Sequence, residues 1–121
     1  MRRRFRGSLW ALLVGLLLAP VANAADDNTV HAFATEQVTV AATAVGLTQS
    51  NYDRVPPALY AFCRNETAAI RYRADGTDPT ATVGIIVESG DTLTLPFGYL
   101  SPIRFIRTGG SSATLTCEYV R

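Results

Sequence analysis

The closing stretch Ala113-Thr-Leu-Thr-Cys-Glu-Tyr-Val120 decides how the rest of the chain is read. Ala113, Leu115, Cys117 and Tyr119 fall on one side of an extended backbone, and Thr114, Thr116 and Glu118 on the other. Successive side chains of a strand point to opposite faces, so this is a strand with one apolar and one polar face. Working backwards, Gly109-Gly110-Ser111-Ser112 is a turn, and Ile103 to Arg107 alternates again, Ile103 and Phe105 against Arg104 and Ile106. Ala69 to Ala74 repeats the pattern, with Ile70, Tyr72 and Ala74 facing one way and Arg71 and Arg73 the other.

The remaining segments also read as β. Glu36 opens a strand through Val38, Thr39 and Val40, and Ala58 to Arg64 is an apolar, aromatic strand. Val83 to Val87 and Thr92 to Leu95 flank the turn Ser89-Gly90-Asp91, while Pro96 to Pro102 is irregular. Tandem prolines at Pro56-Pro57 place Asn51 to Pro57 in a loop. Six to seven short strands with turns between them predict an all-β, single-domain antiparallel sandwich, jelly-roll-like or immunoglobulin-like in outline. A true immunoglobulin domain is excluded: the only Trp is Trp10, position 115 holds Leu rather than Tyr, and no strand follows Cys117's own.

Outside this block, Arg2, Arg3, Arg4 and Arg6, the apolar run Leu9 to Leu18 and the small-residue site Ala22-Asn23-Ala24 have the order of a secretory signal peptide over 1–24. The run is shorter than the ~20 residues a membrane span needs. Residues 25–35 read as a flexible arm and 36–121 as the domain. Cleavage leaves 97 residues carrying seven arginines, no lysine and ten acids, a net charge of −3. Such a chain has no basic stripe for nucleic acid. Export into an oxidising compartment (periplasm, cell surface or extracellular space) makes a Cys63–Cys117 disulfide the expectation. Cys63 shares a face with Leu59 and Ala61, so both thiols are expected in the core. Asn65-Glu66-Thr67 spells an N-glycosylation sequon.

Four candidate sites emerge. Asp75-Gly76-Thr77-Asp78-Pro79 offers two carboxylates, far short of the six to eight oxygens calcium needs. Asp75, Gly76, Asp78 and Pro79 are better explained as turn chemistry, with no metal. Arg71, Arg73 and Arg104, with Arg107, could form a cationic face for an anionic glycan, or be a solvated sheet face paired with Glu66, Glu88 or Glu118. Phe97 and Tyr99, in the proline-bounded loop PFGYLSP, are the candidate contact loop. Thr39, Thr43, Thr114 and Thr116 mark polar strand faces that could pack on neighbours. His31 lies in the expected arm and Cys63 and Cys117 are expected to be oxidised, so no catalytic group, cofactor or metal site is assigned.

Four stretches in order, VTVAATAVGLTQSNY (38–52), AAIRYRADGTDPTATVG (68–84), ESGDTLTL (88–95) and IRFIRTGGSSATLTCEYVR (103–121), resemble a family of small bacteriophage virion-associated proteins. The resemblance implies a compact β domain that serves as a structural or accessory part of a particle, working through protein contacts or self-association. It carries no catalytic residues. The signal peptide and the cysteine pair are additions to that pattern. A glycan- or small-ligand-binding sandwich is the alternative reading.

Overall fold

The computed structural model describes residues 29–121. The expected leader, and residues 25–28 of the expected arm, lie outside the described residues. Seven strands run in the order β1 (Ala32–Val40), β2 (Tyr60–Asn65), β3 (Ile70–Arg73), β4 (Ile85–Val87), β5 (Thr92–Pro96), β6 (Arg104–Arg107) and β7 (Ala113–Val120). Two single helical turns interrupt them, α1 (Gln49–Tyr52) after β1 and α2 (Phe97–Leu100) after β5. Pairing is antiparallel throughout, in a four-stranded sheet β1-β7-β2-β5 and a three-stranded sheet β4-β3-β6. This is a small all-β sandwich.

The alternation in β7 does what its sequence dictates. Ala113, Leu115, Cys117 and Tyr119 are all buried, at most 1% exposed. They meet Val38 and Val40 of β1, Ala61 and Cys63 of β2 and Leu95 of β5 in one core with Ile70, Val87 and Phe105 from the second sheet and Ile103 just before its strand β6. A core of this kind is the main source of folding free energy in so small a domain. Cys63 and Cys117 sit directly opposite each other on neighbouring strands and form the disulfide. The bridge thus staples β2 to β7 within one sheet instead of joining the two layers. Leu59 departs from expectation: it precedes β2 and is 57% exposed, so Ala61 alone accompanies Cys63 inward.

Two chain segments close the sandwich. On one side the chain leaving β1 crosses to the second sheet, where Val45 exchanges backbone hydrogen bonds with Phe105 (2.9 and 2.8 Å) and Ala41 accepts one from Arg107 (3.1 Å). On the other, the Glu88–Asp91 turn carries β4 into β5, with the Asp91 carboxylate accepting from the Glu88 amide (3.0 Å). Asn65, fully buried, ties this corner: its side-chain amide donates to the carbonyls of Ala68 (2.6 Å), Val87 (3.1 Å) and Glu88 (3.3 Å). The sequon is therefore occupied by the fold. A glycan on that nitrogen is incompatible with its burial and its three bonds.

Several expected boundaries move, β2 among them, which runs Tyr60–Asn65 in place of 58–64. β1 starts at Ala32, so 32–35 of the expected arm are strand, and His31 and Arg121 exchange backbone hydrogen bonds of 3.0 and 3.1 Å. The partner for this extension is the full length of β7, and Phe33 is held beneath Arg121, whose guanidinium carbon lies 4.4 Å from the ring centre. β4 spans only 85–87, because residues 80–84 are drawn into a self-bonded loop. β6 begins at Arg104, just after the buried Ile103. PFGYLSP is not irregular throughout: Leu100 is fully buried and anchors a helical turn over Phe97–Leu100. Among the described residues no helix is long and apolar enough to cross a membrane.

Candidate functional site

The turn signature folds through local polar bonds. Asp75 takes the Thr77 amide on its carboxylate (3.1 Å) and pairs with Arg73, Nη2 to Oδ2, at 2.5 Å. Gly76 sits at φ +82°, where a side chain is strained. Further along, the Thr80 hydroxyl accepts from the Val83 amide (2.9 Å). Gly84, at φ +136°, lies so close to β3 that a Cβ would stand 3.0 Å from the Tyr72 carbonyl oxygen. Glycine there lets the chain turn tightly into β4. The Asp78 side chain is exposed.

Arg71, Arg73 and Arg104 share the outer face of the three-stranded sheet, with Arg73 opposite Arg104 and Arg71 opposite Ile106. Their guanidinium groups are directed to different partners. Arg71 reaches over the edge of β4 and donates to the carbonyls of Ala81 (3.1 Å) and Gly84 (2.8 Å). Arg73 is neutralised by Asp75, whose hydrogen bond raises the guanidinium's proton affinity, while Arg73 and the Thr77 amide hold the Asp75 carboxyl below the usual range. Arg104 donates to Ser101 and Ile103 carbonyls (3.0 and 2.8 Å) and lies against Gly46, where a Cβ would come 2.7 Å from its Nη1. Arg107 reaches the Ser112 hydroxyl at 3.5 Å. The arginines thus tie down loops, and none pairs with Glu66, Glu88 or Glu118 among the described residues.

The contact loop divides. Phe97 and Tyr99 both project outward from α2, 44% and 46% exposed. Tyr99 alone joins a hollow of about 420 Å³ lined also by Tyr72, Arg73, Ala74, Asp75, Val83 and Ile85. The fold therefore brings the candidate aromatic, one candidate cation and the turn signature to one place. Its rim is apolar, with Ile85 60% and Val83 50% exposed, while Ile86, 46% exposed, stands on the other face of β4 beside Arg71. These three residues were not singled out from the sequence. The signal was there in Gly84-Ile85-Ile86-Val87, a run apolar on both faces, which a half-buried strand does not need.

A second cluster also escaped the sequence reading. Glu36 stands on the inward face of β1, where its carboxylate accepts from the Thr48 amide (3.0 Å), the Thr48 hydroxyl (2.7 Å) and the Tyr119 hydroxyl. Burial pushes the Glu36 carboxyl up, but the bonds from Tyr119, Thr48 and Asn51 outweigh it and hold the group below its usual value. Burial first, and then Glu36, push the Tyr119 phenol far above the usual tyrosine range. With Tyr52 6.1 Å away ring to ring, the cluster pins α1 onto the first sheet. Its groups are engaged with one another, which is a structural role.

Compared with known proteins, the chain matches no described protein family, no curated protein and no solved structure.

Proposed function

We propose that the chain is an exported, non-enzymatic structural or interaction module that meets a protein partner along the margin of its three-stranded sheet. The observation that carries this reading is the grouping of Val83, Ile85 and Tyr99, each 46% exposed or more, around one hollow beside an edge strand. Contiguous exposed apolar surface of this sort is characteristic of contact sites. The disulfide supports export, since such bridges persist in oxidising compartments. The resemblance to phage virion-associated proteins supports a place in an assembled particle or surface structure.

A photo-crosslinking residue in place of Ile85 tests this in the native source. A protein adduct at position 85, and none with the probe at the exposed Gln37 on the β1 edge, is expected. Absence of any adduct at 85 contradicts the reading.

One observation favours a second reading. The hollow joins the Tyr99 ring to the Arg73–Asp75 pair, and a sugar can stack on the former while bonding the latter. On this account the protein binds a glycan, and a glycan array gives signal that Tyr99→Ala abolishes. An array with no signal removes this reading.

A further inference from the structure

We propose that β4 is a self-association edge: two copies pair β4 to β4, antiparallel, about a two-fold axis at Ile86, with Arg71 of each copy meeting Glu88 of the partner subunit. This rests on the interaction reading above and names its partner.

The sandwich has four lateral strands, and three are guarded. The segment Ala41–Val45 lies along β6. β5 ends in Pro96, which cannot extend a ladder, and shows solvent Thr92 and Thr94. β1 shows Thr35, Gln37 and Thr39, and its Glu36 is taken by the Thr48 loop. β4 itself holds no proline and no charge, only Ile85-Ile86-Val87, and the Arg71 side chain reaches over its edge to the Ala81 and Gly84 carbonyls. It bonds to β3 on one side and, among the described residues, has no strand on the other.

Charge selects the occupant. In an antiparallel pair centred on Ile86, Ile85 stands opposite Val87 of the partner subunit, and Gly84 opposite Glu88 of the partner subunit. Glu88 lies on the same face as Ile86, two residues on. Arg71, opposite Ile86 on β3, points to that face as well and already extends across β4 to the Gly84 carbonyl. Directly opposed residues lie about 4.5–5.5 Å apart between Cα atoms, which brings the incoming carboxylate within reach of this guanidinium. Arg71 has no carboxylate partner and Glu88 no cation partner among the described residues. The two-fold supplies both pairs at once. An unrelated strand would need an acid and a cation at those two positions, and this chain's own edge carries both in register. The product is one continuous sheet, β6-β3-β4-β4-β3-β6.

Sedimentation velocity on the disulfide-bonded chain tests the proposal. A dimer is expected for the parent, a monomer for Ile86→Lys, and at least about tenfold weaker association for Glu88→Arg, from like charges set face to face. Mixing Glu88→Arg with Arg71→Glu restores both pairs and gives a heterodimer tighter than either variant alone. Should Arg71→Glu fail to fold, Ile86→Lys and Glu88→Arg, whose native side chains make no polar bond among the described residues, still decide the matter. A parent that stays monomeric to about 100 μM, or a dimer unaffected by these two changes, overturns the proposal. Adducts at position 85 with a different protein, together with a monomeric parent, overturn it and leave the interaction reading standing. Failure of both experiments removes both.

Discussion

The two sheets of this sandwich do different work. In the four-stranded sheet, β7 is sandwiched between β1 and β2, its inward residues are sealed, and the disulfide and the Glu36–Tyr119 contact join it to both neighbours. In the three-stranded sheet only the inward residues Ile70, Val87 and Phe105 are sealed, and the edge strand leaves two isoleucines in solvent. The first sheet concentrates stability and the second carries surface. A small domain cannot spare apolar residues for the outside unless its core is held by other means, and here the staple lies in the four-stranded sheet, apart from the exposed isoleucines.

The contrast can be broken at several points. The largest effect is expected from the double change Cys63→Ser and Cys117→Ser: the bridge closes a loop of 54 positions, worth about 4 kcal/mol in the chain-entropy model, read as a fall in denaturant midpoint. Next is Leu115→Ala in β7, about 3 kcal/mol by the same assay, whereas Ile85→Ala in β4 costs under about 0.5 kcal/mol. Equal costs at these two positions would dissolve the division between the sheets. Asn65→Ala, which strips partners from three carbonyls where the sheets join, is expected to cost about 2 kcal/mol.

The Glu36–Tyr119 contact gives a smaller and more specific test. The Glu36 carboxyl is depressed in the fold, so its contribution is present above the unfolded value of 4.5 and is lost as pH falls through the folded value. The Tyr119 phenol is raised, so its contribution is complete below the unfolded value of 10.0 and is lost as pH rises past it. Melting temperature against pH is therefore flat between these limits and falls on both sides. Tyr119→Phe lowers stability on the plateau by about 1–2 kcal/mol, read as a lower melting temperature, and removes the alkaline fall, while Glu36→Gln removes much of the acid one. An unchanged acid limb in Glu36→Gln would show that the carboxylate is not held as described.

Legibility followed periodicity. β7, β3 and β6 could be read because a half-buried strand must alternate, and the cysteine pair because both thiols fell on apolar faces. The start of β1 was hidden by the irregularity between Ala32 and Ala34, which shifts its register against β7 and breaks the alternation. α2 was hidden because four residues are too few to show a helical period. Of the candidate site, Tyr99, Arg73 and Asp75 were each visible, but not that a tight turn at Gly84 and the buried anchor Leu100 would bring them together. The exposed edge was missed for the opposite reason: Ile85 and Ile86 look like core, although a run apolar on both faces is more than a half-buried strand needs.

Hydrogen exchange on the disulfide-bonded chain, followed at low and at high protein concentration, tests the central claim most directly. Amides of β2 and β7 are expected to be strongly protected at both concentrations, and those of Ile85–Val87 to exchange rapidly when dilute and slow markedly when concentrated. Protection at Ile85–Val87 equal to that of β7 in the dilute sample, or rapid exchange there at every concentration, would contradict the account.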